Sequence, residues 1–399
     1  MKTRIIVAFS LTLAVLCNMP VGVPCPFCDA PSLTMAEQID QSGHLLLAKW
    51  LGGEKPTNES AGTAKFEVIK VGKSRDDAFK TGDVIELPQY LAGANEKLYA
   101  LMGPGTDFVD WHSPCEVTPS SWEYLANMPA PVAAPEMQSD RLAYFLAYLE
   151  HPELLVSNDA YAEFASAPYD VIKPLSPRMP REKLREWVTS PDTAVTRLGL
   201  YGLLLGLCGN DGDATAMEHK ILLPDSDFRL GIEGVMSGYL IIRGEDGLKV
   251  LEDSKMKATT FTNKDGEDAK LPFSETYAAM QTLRFMWTYE PDRVPKERLK
   301  ESMRNLLERP ELADLVIADL ARWKDWGVQE RLMAMYSDEE FDIPSIKRAI
   351  VRYLFYCSED VEKGAETKPE YAVTAATYLA ELEALDPKIV RDAKRFLIR

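Results

Sequence analysis

Histidine is scarce, with four in 399 residues at His44, His112, His151 and His219. They are scattered, which leaves little material for chemistry built on several imidazoles. Catalytic signatures are missing too: there is no G-x-S-x-G elbow, Walker loop, H-E-x-x-H or dinucleotide fingerprint. Basic residues are outnumbered, 45 Lys and Arg against 62 Asp and Glu, for a formal charge of −17. A non-specific nucleic-acid binder must neutralise phosphates with cations, so that class is excluded. No apolar run reaches the ~20 residues that a comfortable membrane span requires. Six cysteines are too sparse for a disulfide-held miniprotein. What remains is an ordinary globular composition, 46% hydrophobic and 27% charged. The length suggests two or three domains and can bury a core without staples.

Residues 1–24 read as a secretory signal. Lys2 and Arg4 precede an uncharged apolar stretch from Ile5 to Cys17. Cleavage would follow Cys17 or fall nearer Gly22. An uncleaved anchor is the alternative, and lipoprotein processing is disfavoured by Leu16 and Pro24 before the two cysteines. Export to the periplasm or the extracellular space, with no transmembrane span after signal removal, puts the mature chain where disulfides persist. Loss of Cys17 leaves Cys25, Cys28, Cys115, Cys208 and Cys357, an odd number, so at least one thiol is unpaired or held by something other than a disulfide.

Residues 25–118 carry strand signals: His44–Leu51, Thr63–Val71, Asp83–Leu87, Leu98–Met102 and Phe108–Trp111, with turn chemistry between them. Five short strands suggest a small closed barrel. Apolar residues on both faces of Phe66–Val71 suggest a bulge or strong curvature. The pattern Cys25, Cys28, Phe66–Val71, Gly82-Asp83-Val84 and Leu98–Leu101 resembles the OB-like barrel of netrin-type secreted modules. The opening Cys25-Pro26-Phe27-Cys28, followed by Ala30-Pro31-Ser32-Leu33, resembles a group of exported bacterial proteins of unknown function.

Residues 119–137, with Pro119, Pro129, Pro131 and Pro135, read as a Pro/Ala-rich linker without a regular element. Over residues 138–399 the apolar spacing turns helical. Leu299, Met303, Leu306 and Leu307 share one face, as do Ile343, Ile346, Ile350 and Leu354. Pro180, Pro295, Pro344 and Pro369 mark helix starts, and Asp192 and Asp227 are candidate N-caps. Asp192–Asp213 and Asp227–Gly247 look like copies, each with Arg-Leu-Gly and a glycine-spaced apolar helix. This is similar to HEAT-like repeats, with Arg197 and Arg229 at the matching place. Such copies stack into an α-solenoid. Gly202, Gly206, Gly234 and Gly238 have the spacing of close helix packing. The expected fold class is multidomain α+β, a small N-terminal OB-like β-barrel followed by a HEAT-like α-solenoid.

The sharpest chemical constellation is Cys25-x-x-Cys28 with His112-x-x-Cys115. Two readings stay open. One is a structural disulfide tying the N-terminal segment to the barrel, drawn from Cys25, Cys28 and Cys115. The other is a tetrahedral Zn site, or a thiol activity, at Cys25, Cys28, His112 and Cys115. Cys208 and Cys357 lie on apolar helix faces as small hydrophobes. Asn263–Asp268 only faintly resembles a Ca²⁺ loop and reads as an exposed connection; Asn210–Asp213 reads as a turn. Trp287, Trp323, Trp326, Tyr289 and Tyr336 are core aromatics or the lining of a groove. The functional expectation is an exported, non-enzymatic binding or scaffolding protein of the bacterial cell envelope. It needs no cofactor and meets a protein or peptide partner on the helical-repeat surface.

Overall fold

The computed structural model describes residues 25–28, 33–93, 97–104, 111–132, 134–223, 229–263, 266–362 and 367–395. A short helix, α1 (Met35–Gln41), is opened by a reciprocal capping box between Thr34 and Glu37. Five strands follow: β1 (His44–Gly52), β2 (Ala64–Ser74), β3 (Val84–Leu87), β4 (Leu98–Gly103) and β5 (Cys115–Val117). They pair antiparallel in the order β3-β2-β1-β4-β5. This is an open sheet with β3 and β5 at its edges, not the closed barrel expected. Closure depends on two edge strands meeting, and the local strand pattern carries no information on that pairing. Of the expected strands, Phe108–Trp111 falls largely outside the described residues, and the fifth strand is Cys115–Val117. The register between β1 and β2 slips at Leu45/Leu46 and Leu47/Ala48, the irregularity that apolar residues on both faces had suggested.

The sheet is buried on both sides. Leu46, Ala48, Phe66, Val68, Ile85 and Leu101 form one cluster, walled by the half-buried Trp50, Phe79, Leu91 and Trp111. Leu45, Leu47, Ala100, Met102 and Val117 face the other way and join the helical core. The join is made by α2 (Pro119–Asn127), whose Trp122 and Leu125 are each 2% exposed. This helix lies in the segment expected to be an irregular linker. Thr118 caps it through its hydroxyl, and Pro119 sits where a missing N–H costs nothing.

The remaining chain is helical. Its elements are α3 (Pro135–Phe145), α4 (Leu154–Ser166), α5 (Tyr169–Ile172), α6 (Arg181–Thr189), α7 (Val195–Cys208), α8 (Asp211–Leu222), α9 (Ile232–Arg243) and α10 (Glu245–Leu251). A π-turn at Glu252–Met256 and a small hairpin, β6 (Thr260–Thr262) with β7 (Asp268–Lys270), come next. The chain continues with α11 (Phe273–Tyr289), α12 (Lys296–Asn305), α13 (Ala313–Arg322), α14 (Gln329–Tyr336), α15 (Pro344–Glu359), α16 (Glu370–Leu385) and α17 (Pro387–Lys394). The prolines at 180, 295, 344 and 369 all stand at helix starts. Asp192 does not cap: α7 begins three residues later, after Ala194. Asp227 lies outside the described residues.

The two similar segments pack on each other through glycine. A Cβ built on Gly206 would stand 2.3 Å from the Gly238 Cα, and one on Gly238 would stand 2.0 Å from the Gly202 carbonyl oxygen. No side chain fits between α7 and α9, so their backbones touch. The paired arginines are buried and fully engaged. Arg197 donates to the Leu149 carbonyl, Glu150, Ser157 and Asn158. Arg229 forks onto Glu275 at 2.7 and 2.6 Å and reaches the last carbonyls of α8. Lys255, 1% exposed, approaches the same carboxylate at 2.8 Å.

Candidate functional site

The N-terminal constellation is divided. Cys25 and Cys28 are joined in a disulfide. Cys115 is a free, half-buried thiol on β5 opposite Ala100, so the expected bridge from the N-terminal pair to Cys115 is not the one formed. Burial pushes the Cys115 thiol above its ordinary pKa. His112 is exposed, its backbone N–H donating to the Met102 carbonyl at 2.8 Å. A disulfide sulfur is no thiolate, so the pair as found presents no ligand to Zn²⁺. Among the described residues no three His, Cys, Asp or Glu side chains gather as a metal set. Cys208 and Cys357 are held up to about 11 and about 12 by burial, the range of inert thiols. His44 is 2% exposed, its ring edge-on to Phe79, and burial lowers its pKa.

An open concavity lies at the other end of the chain, between α13 and α15. On α13 the residues Asp314, Leu315, Ala318, Ala321 and Arg322 recur at helical spacing along one wall. On α15 Ser345, Arg348, Ala349, Arg352, Tyr356 and Glu359 form the facing stripe. The opposite face of α15 carries Ile346, Ile350 and Leu354, each no more than 1% exposed, and these anchor it to the core. Ala318, Ala321 and Ala349 are too short to fill the space between the helices. A groove of about 950 Å³ results.

The third wall is built where α13 ends. Lys324 takes a left-handed backbone, φ 52°. Its N–H donates to the Ala321 carbonyl, and the Asp325 N–H donates to that of Leu320. This is a Schellman closure, in which glycine is the usual occupant. Lysine at this position costs on the order of 1 kcal/mol of backbone strain. The side chain so placed donates to Asp360 at 2.5 Å, and Trp326 Nε1 donates to the other oxygen of that carboxylate at 2.8 Å. The hydrogen bond from Lys324 holds the Asp360 carboxyl below its usual pKa.

The groove differs in charge from the molecule around it. Arg322, Lys324, Arg348 and Arg352 stand against Asp314, Glu359 and Asp360, an excess of one cation in a chain of charge −17. Arg322 is tied to Asp319, and Arg352 donates to the Ala393 carbonyl. Leu315 and Tyr356 are each 39% exposed on the lips. The arrangement offers an apolar floor, a leucine and a tyrosine on the lips, and a row of cationic side chains, several already engaged, along the walls.

No protein-family model, curated protein or solved structure matches this chain. Its functional reading therefore stands on the geometry. Of the five aromatics singled out, Trp326 lines the groove. Trp287 and Trp323 stack at 4.3 Å with Lys296 above, and Tyr336 is buried. The groove's arginines and Tyr356 had not been singled out. Their signal was present: Arg348, Arg352 and Tyr356 fall at i, i+4 and i+8, on the side of the helix away from its apolar stripe. Asn210–Asp213, expected to be a turn, is the capping box that starts α8.

Proposed function

We propose that this is an exported, non-enzymatic binding or scaffolding protein of a bacterial cell envelope. In this reading the helical region is a HEAT-like solenoid, and the groove between α13 and α15 seats an acidic, apolar segment of a protein partner. The observation that carries the reading is the cationic groove itself, apolar at its floor, in a strongly acidic molecule. Tyrosine and arginine are also the residue types that anchor interfaces. The α7–α9 likeness with its paired arginines supports the repeat reading. The charged and apolar start of residues 1–24 supports export.

The experiment is a titration of the full chain with two twelve-residue peptides, one alternating Leu and Glu, the other Leu and Lys. The acidic peptide is expected to bind at least tenfold tighter. Arg348→Glu is expected to weaken it by at least tenfold, with circular dichroism unchanged. Equal binding of the two peptides, or an unaffected Arg348→Glu variant, sinks the reading.

A further inference from the structure

The Cys25–Cys28 disulfide is a poor staple. It closes a loop of only four residues, and the chain entropy that a cross-link removes grows with loop length, so it constrains the unfolded chain little. It links no distant segments. The segment is held in place by other means. The Cys25 N–H donates to the Ala165 carbonyl on α4 at 3.2 Å. The Phe27 ring lies 5.1 Å from that of Phe285 on α11. Gly199 on α7 leaves room for it, since a Cβ there would stand 3.0 Å from the Phe27 carbonyl oxygen. None of these contacts uses the sulfur–sulfur bond, so the loop can stay docked when the bond opens.

The two sulfurs are also unequal. Cys25 is 4% exposed. Cys28 is half-buried and lines a cleft of about 320 Å³ with Tyr161, Thr196, Leu230 and Glu233. An incoming thiol therefore meets Cys28 first. Burial holds the Glu233 carboxyl above the usual carboxylate range, which brings its proton exchange nearer neutrality.

We propose that Cys25–Cys28 is a thiol–disulfide exchange centre, attacked at Cys28 by a cysteine of a peptide or protein substrate lying in this cleft. The substrate thiolate attacks Cys28 Sγ, a substrate–Cys28 bond forms and the Cys25–Cys28 bond breaks. Cys25 leaves as a thiolate and takes a proton. A second substrate thiol then attacks the substrate sulfur of the mixed disulfide and displaces Cys28 as a thiol. One substrate disulfide is made, and Cys25 and Cys28 end reduced. Re-oxidation needs a low-molecular-weight disulfide as oxidant. This activity is independent of the groove at α13 and α15 and adds a chemical function to the binding role proposed for that groove.

The test uses the oxidised full chain, glutathione, and a short peptide containing two cysteines, with alkylation and mass mapping as the readout. Millimolar reduced glutathione is expected to open Cys25–Cys28 at least tenfold faster than a simple dialkyl disulfide, with circular dichroism unchanged. The peptide is expected to be oxidised with a stoichiometry of one per chain. Cys25→Ser, treated with oxidised glutathione, is expected to form a mixed disulfide at Cys28 at least tenfold faster than Cys28→Ser forms one at Cys25. Should either variant fail to fold, the wild-type rate and stoichiometry decide. A bond that stays closed in millimolar reduced glutathione, or equal labelling of two folded variants, overturns the proposal.

Discussion

Asp159 sits where three segments of chain meet. It accepts the Met35 N–H on α1 and the Tyr124 hydroxyl on α2, each at 2.7 Å, from its own place on α4. Burial raises its carboxyl from 3.8 to about 6, outweighing the two donors that favour the charged form. The native state thus prefers the protonated acid. The contribution to stability is fully present below the unfolded value of 3.8 and is lost as pH rises through about 6. A shift of that size corresponds to about 3 kcal/mol across the window. Asp159→Asn removes this titration. Comparing melting temperatures at pH 7 and pH 4.5, the gap between the two proteins is expected to move in favour of wild type by several degrees at the lower pH. A gap independent of pH would show that Asp159 does not titrate in this range.

At the scale of the elements, the contact of α7 and α9 is the sharpest constraint. Gly206→Ala forces two backbones apart and is expected to cost about 3 kcal/mol, at the upper end for overpacked sites. Gly212→Ala near the start of α8 is the control. Its Cβ would meet side-chain atoms alone, the nearest the Asn210 Oδ1 at 3.3 Å, and alanine favours helix, so the cost is expected to stay well below that of Gly206→Ala. Urea midpoints check both, and equal effects would refute the close contact. Much of this level was legible in sequence. Proline marks helix starts because it has no N–H to lose, and glycines four apart make a groove on a helix whatever surrounds them. Four of the five strands stand within one to three residues of their expected bounds. Thr118-Pro119 carried the same start signal as the other prolines, but the prolines after it suggested a break. The open edge of the sheet was not legible, because pairing is settled by residues far apart in the chain. The groove was half legible: its stripe is local to α15, and its emptiness depends on two alanines of another helix.

Over the whole molecule, the helix-facing side of the sheet shares one continuous core with the helices. Trp122, 2% exposed, stands at the join. The sheet and the helical region are therefore expected to unfold together. Hydrogen exchange in rising denaturant should release β1 and α4 amides at one midpoint, and Trp122→Ala should lower that midpoint for both, a loss of about 3–5 kcal/mol of stability. Two separated midpoints would divide the molecule at residue 118. The docking of Phe27 has a consequence in time. A chain that leaves the ribosome from its N-terminus presents Cys25–Cys28 early, but Ala165, Gly199 and Phe285 emerge far later. The loop must wait, unburied, through the synthesis of more than half the protein. Its contact with Phe285 closes a loop of about 258 residues, and contacts so distant in sequence are slow to form. The earliest-made piece of the described structure therefore cannot be fully put away until α11 has been made.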